Sequence, residues 1–197
     1  MNLYVRGRLP HSGIAIVGSR TPPQIAANFA YQLAISLGEP VIAGLAPGID
    51  AAAHRGALAA GVPTVAFVGY GFGCTDPPEH AELEAAIVEA GGAIATLLPP
   101  GTPVAQAARI ERDRLQAQHA RAVVLVCSEI GGGALYTMQF ARELARPRYA
   151  IVPPSEGADD EVWAGNLQCI ADGAAPLPLD VDEATRMLRD RERARRR

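Results

Sequence analysis

The chain has 197 residues, 49% of them apolar, a formal charge of −3, and 18 basic residues that are all arginine. That length supports one sizeable core. No apolar run approaches the ~18 residues needed to cross a bilayer, and no charged-then-apolar leader opens the chain, so the reading is of a soluble, cytoplasmic protein without a membrane partner. Seven of the arginines lie in residues 186–197, leaving 11 against 19 acids, a balance of −8, over residues 1–185; a body of that sign is no generic polyanion surface, and any such contact must come from a local cluster or from the tail.

Residues 1–12 carry Arg6, Arg8, Pro10 and His11 without a period and read as an extended lead-in. Ile14–Val17 is a continuous apolar run, as in a strand covered on both faces, and ends at Gly18-Ser19-Arg20. Pro22 and Pro23 suit a helix start, Ile25, Phe29, Leu33 and Leu37 recur at helical spacing, and Gly38 stops the helix.

The stretch from Val41 to His54 organises the rest. A buried strand ends at Gly44, a turn holds Gly44, Pro47 and Gly48, and Ile49 opens an alanine-rich helix. Backbone N–H groups at such a helix start collect anionic groups. Asp50 and His54 share a helical face, where a structural hydrogen bond is a better reading than an acid–base pair without a nucleophile.

Further strands are expected at 63–68, 93–97, 122–127 and 149–152, and further helices from Pro77, over 105–120, 134–145 and 162–171, with Val181 onward as a last, fraying helix. A rigid Pro99–Pro103 loop and a Pro153–Asp160 loop join them. Apolar strands alternating with helices predict a single α/β domain with a doubly wound, mostly parallel, Rossmann-like sheet over residues 1–178, followed by an arginine-rich helix or tail over 179–197. Ligands of such sheets sit at the carboxyl ends of the strands, so Gly18–Arg20, Gly44–Asp50, Gly69–Gly73 and Gly131–Gly133 should converge on one crevice. Neither a Gly-x-Gly-x-x-Gly after the first strand nor a phosphate-binding loop with lysine occurs, and Cys74, Cys127 and Cys169 have neither disulfide nor zinc spacing. His11, His80 and His119 read as isolated surface or cap residues, and Tyr70 and Phe72 as the aromatics near a strand end.

Ile-Val-Gly-Ser-Arg20, the Ala43–Leu58 segment, Pro-Pro-Gly-Thr102, Arg112-Asp-Arg114, Gly131-Gly-Gly133 and the Ala164–Ala174 segment together resemble the DNA-processing protein A (DprA/Smf) family over roughly residues 10–178. The resemblance is to the family's central domain alone, without the helical domain often found before it or the winged-helix-like domain often found after it. It implies a non-enzymatic, cofactor-free protein that binds single-stranded DNA and helps load the RecA recombinase in natural transformation, with a homodimer possible. By position, Gly18, Ser19 and Arg20 match one phosphate-contacting loop. Gly44, Leu45, Ala46, Gly48 and Asp50 match a second, with His54 beside it. Arg112 and Arg114 match an Arg-Asn-Arg segment, and Gly131, Gly132 and Gly133 a Ser-Gly-Ser-type turn. Three arginines, Arg20, Arg112 and Arg114, would then grip successive phosphates.

The chain departs from that pattern at Pro47, where the family usually has arginine, at Asp113, usually asparagine, and at Gly131 and Gly133, usually serine; each change weakens the expected grip on DNA. A second reading is a nucleotide or nucleotide-derivative sensor of the same superfamily, or a Lonely Guy-like phosphoribohydrolase. The turn Glu129–Thr137 has that group's glycines but lacks its Gly-Thr-x-x-Glu. A third is a scaffold that has lost its ligand.

Overall fold

The computed structural model describes residues 2–156 and 160–195. Gly157–Asp159 of the expected loop, and Arg196 and Arg197 of the arginine-rich tail, lie outside the described residues.

The expected single α/β domain is observed, with an eight-stranded sheet in the order β1-β5-β4-β3-β2-β6-β7-β8. The central strands are β2 (Gly13–Val17), β3 (Val41–Ala43), β4 (Thr64–Phe67), β5 (Ala93–Thr96), β6 (Ala120–Leu125) and β7 (Arg148–Ile151), all parallel to their neighbours. Two edge strands complete it. β1 (Tyr4–Gly7) runs antiparallel to β5 from Tyr4 opposite Thr96 to Gly7 opposite Ala93, where the sequence suggested only a lead-in. Its side chains are mostly exposed, so pairing rests on backbone hydrogen bonds that leave no apolar period to read. β8 (Ala175–Leu177) was likewise not expected; Pro176 is tolerated because the strand is at an edge.

Burial is continuous along β2, β3, β4 and β5 because both faces are covered, and successive side chains enter the core on opposite faces. Ile14 and Ile16 of β2 pack with α1 (Gln24–Leu37), α2 (Ile49–Ala59) and α7 (Val181–Arg195); Ala15 and Val17 pack on the other face, with α4 (Gln106–His119), α5 (Ala134–Glu143) and α6 (Ala164–Ala171). A third cluster joins α3 (Ala81–Glu89) to β4 and β5 through Ile87, Ala66 and Ile94. α1 ends at Gly38 in the left-handed conformation, φ 64°.

α7 is anchored rather than frayed. Ala184 and Leu188 are buried, and Arg189 Nη2 donates to the carbonyl of Ser36 at 2.9 Å.

Candidate functional site

β3 and β6 flank β2 on opposite sides, so the winding reverses between β2 and β6, the place where open parallel sheets form a crevice. A cleft of about 370 Å³ lies there, walled by the loop after β2, the start of α2, one face of α4 and the turn before α5.

The loop between β3 and α2 is built around Asp50. Its Oδ2 accepts the N–H of Gly44 at 2.9 Å and that of Ala46 at 3.4 Å. Between them Leu45 takes φ 64°, a conformation that costs energy for a residue with a Cβ. His80 Nδ1 donates to the Leu45 carbonyl at 2.8 Å, so Leu45 is pinned on both sides. Sequence reasoning read His80 as a surface or cap residue; it does stand at the N-cap position of α3, but it is buried, where the inward-directed Leu45 carbonyl needs a donor. Gly48, at φ 79°, lies where a Cβ would come within 2.4 Å of the Ser19 carbonyl oxygen, so the loops after β2 and β3 touch through it.

Arg112 enters from α4. Its Nη1 lies 3.5 Å from Asp50 Oδ2 and its Nε 3.0 Å from Asp113 Oδ1. The space it fills exists because residue 44 is glycine: a Cβ there would fall 1.0 Å from Arg112 Nη1. Burial raises the Asp50 carboxyl above its usual range, outweighing the attraction of Arg112 and the two N–H bonds. Asp113 is pushed up to about 7, first by burial and then by the Asp50 charge, against the pull of Arg112 and Arg20. One cation is thus shared by two carboxyls, and the cleft loses a negative charge when Asp113 is protonated.

Arg20 projects from the loop after β2, is exposed, and has no carboxylate within ion-pair distance among the described residues. Arg109 stands one turn before Arg112 and pairs with Asp76 at 2.8 Å. Arg20, Arg109 and Arg112 also line an adjoining cleft of about 110 Å³ beside Pro47, so a guanidinium from α4 stands next to the position where an arginine was expected. Arg109 falls in the helix expected over 105–120 and was not singled out as a site residue; its signal was the i,i+3 spacing to Arg112, which puts both on one face.

The turn Gly131–Gly133 leads into α5, whose N-terminal end opens onto the cleft. The wall beneath it is fixed by Asn166, which accepts the Ser128 N–H at 3.0 Å and donates to the carbonyls of Val126 and Ile151, both at 2.9 Å. Thr137 Oγ1 and Gln116 Oε1 are buried on the cleft walls without a hydrogen-bond partner among the described residues. Tyr136, 39% exposed, is the aromatic at this mouth and was not singled out from the sequence. Tyr70 is instead buried, donating to Glu84 Oε2 at 2.6 Å.

The structure therefore brings Gly18, Ser19, Arg20, Ala46, Asp50, Arg112 and Gly131–Gly133 to one cleft, and Gly44 to the adjoining one. Four expected residues line neither: Gly48, at the contact between the loops after β2 and β3, and Arg114, His54 and Leu45. Arg114 is two positions from Arg112 and so points away: its guanidinium lies 4.1 Å from the centre of the Phe140 ring and 3.7 Å from Glu143 Oε2 on α5. His54 is fully buried beneath the loop and bonds Thr64, not Asp50. Thr64 Oγ1 donates to the Val41 carbonyl, so it accepts from His54 Nδ1–H at 2.7 Å; burial lowers His54 to about 3 and keeps it neutral. Leu45 is likewise fully covered and serves through its backbone.

The family model for DNA recombination-mediator protein A matches residues 1–189. The chain belongs to that family. It is 30% identical over 169 residues to protein Smf of Escherichia coli, covering 82% of this chain and 45% of that protein. The solved DNA processing protein A of Streptococcus pneumoniae superposes with a TM-score of 0.81 at 28% identity, over 89% of this chain and 62% of that one. The Helicobacter pylori DNA processing protein A gives 0.83 at 17% identity, over 95% and 86%. The chain spans between 36% and 49% of the length of the curated relatives it matches. No helix among the described residues is long and apolar enough to cross a membrane.

Proposed function

We propose that this chain binds single-stranded DNA in the cleft at the carboxyl edge of the sheet, as a non-catalytic DNA-processing module. The observation that carries the reading is the meeting, on one cleft, of Arg112, the N-terminal end of α5 and an exposed Arg20 that has no ion pair among the described residues. These are charged forks and oriented N–H groups suited to successive phosphates. Tyr136 at the mouth offers a face for one base. The relative from H. pylori is described for its single-stranded DNA binding mode, which supports the same ligand here. A cleft between strand-end loops admits one flexible backbone and excludes a paired helix. Fluorescence anisotropy with single-stranded and duplex oligonucleotides of one sequence therefore tests the reading: single strands bind more tightly, and equal affinities contradict it.

The same proposal places the chain in the cytoplasm, working with the RecA recombinase and as a homodimer. Co-sedimentation with RecA on single-stranded DNA and a measured solution mass test those two parts.

A second reading is favoured by one observation. Thr137 Oγ1 and Gln116 Oε1, buried and without a partner among the described residues, line a volume within the ~300–1,000 Å³ range of small-ligand pockets, as a nucleotide sensor would need. Calorimetry with free nucleotides separates it from the first: tight binding that competes with DNA would favour the sensor.

A further inference from the structure

At the opposite, amino edge of the sheet, Arg142, Arg146, Arg148 and Arg191 line an open depression of about 580 Å³ whose lining contains no carboxylate. They come from three elements: the end of α5 and the loop after it, the first residue of β7, and α7. A helix C-terminus ordinarily attracts one cation, and Arg142 serves there; four guanidiniums exceed that need.

Their partners leave the charge uncompensated. Arg146 Nη2 donates to the Gln118 carbonyl at 3.0 Å, and Arg148 Nη2 to the Asp172 carbonyl at 2.8 Å. Arg191 lies over the Tyr149 ring at 5.6 Å. Among the described residues only Arg142 forms an ion pair, with Asp172 at 3.4 Å. Each guanidinium has five N–H donors, so one carbonyl contact fixes the group in place and leaves most of its fork outward. This occurs on a protein whose first 185 residues carry a balance of −8.

We infer that this depression is a second site, which binds the phosphodiester backbone of a DNA strand without reading its bases. Between the arginines the lining is Ala145, a half-buried Pro147, Gly173 and Ala175, and Tyr149 is buried, so neither a base-stacking ring nor a large apolar anchor for a protein partner is presented. Planar forks on a shallow surface match phosphate oxygens in geometry and charge. The site lies apart from the cleft and rests on the proposed function only in its choice of ligand. It would hold the part of a long strand that runs beyond the cleft.

The test uses the full chain with oligo-deoxythymidylates of about 8 nucleotides, which fill one site, and about 30, which extend past it. Two double variants are compared: Arg146→Gln with Arg148→Gln, and Arg142→Gln with Arg191→Gln, the second pair making no contact to the backbone. Arg112→Ala is measured in parallel. The expected result is that each double variant binds the long probe about tenfold more weakly, with its logarithmic salt slope flatter by about 1.4, or ~0.7 per lost phosphate contact, while the short probe is unaffected. Unchanged long-probe binding in both, as an acidic protein partner would give, overturns the site. Equal loss on both probes overturns it too. Short-probe binding unaffected by Arg112→Ala would instead defeat the cleft reading and leave the long-probe comparison intact.

Discussion

Asp50 and Arg112 meet inside the protein, 3.5 Å apart, with the carboxylate 4% exposed and turned back onto the N–H groups of its own loop. The acid at the head of α2 thus acts through the arginine it positions and the turn it closes, not by facing a ligand.

Removing that carboxylate leaves two N–H groups without their acceptor and the buried Arg112 guanidinium with Asp113 as its remaining carboxyl partner. Asp50→Ala should cost about 3 kcal/mol, lowering Tm by about 6–12 °C, while Asp50→Asn, which keeps an acceptor, should lose less than half of that. Thermal and denaturant unfolding of the two variants check this; equal losses would mean that the charge alone matters.

Asp113 gives the cleft a pH dependence of known sign. Its folded-state value, about 7, lies above the usual carboxylate value, so the stability it contributes is complete below about pH 4 and is lost as pH rises through 7. Asp113→Asn should therefore stabilise the protein by about 2 kcal/mol at pH 8 and change little at pH 4. DNA affinity should tighten several-fold from pH 8 to pH 6 in the parent, as the cleft loses a negative charge, and stay level in the variant. A parallel pH response in the two proteins would contradict this.

Much of this was legible from residues because parallel strands buried on both faces leave uninterrupted apolar runs, and Ile14–Val17 and Ala122–Cys127 are such runs. The turn glycines marked the strand ends that converge on the cleft. What escaped was information carried by the backbone or by helix phase. β1 pairs through main-chain groups with its side chains outward. Arg112-Asp-Arg114 reads as one cationic triplet in a line of text, yet at 100° per residue a helix sends its two arginines to different faces. His80 meets Leu45 across 35 positions, and no local pattern reports a contact of that kind.

Helix phase leads to a paired prediction. Arg114→Ala should leave DNA affinity unchanged and cost about 1 kcal/mol of stability through the lost Phe140 contact. Tyr136→Ala should do the opposite, weakening single-strand binding by about 1–3 kcal/mol with little effect on unfolding. Swapped effects in anisotropy and melting experiments would mean that the strand runs along the far face of α4.

The arginine-rich end is a structural element as well as a charge. Leu188 is 4% exposed against α1 and the sheet, so Leu188→Ala should cost about 2–5 kcal/mol. Cutting residues 186–197 would remove this packing together with the arginines. Its effect on DNA binding should therefore be accompanied by a clearly lower Tm, whereas Arg191→Gln should lower Tm only slightly, through the lost contact with the Tyr149 ring.

The central claim is that Arg20 and Arg112 hold phosphates of a single strand in the cleft. It is tested most directly by titrating salt against binding of a short single-stranded oligonucleotide to the parent, Arg20→Ala and Arg112→Ala. The account predicts that each substitution weakens binding and flattens the slope of log K against log salt by about 0.7, the value for one lost phosphate contact on a single strand. Slopes that coincide in all three proteins would contradict it.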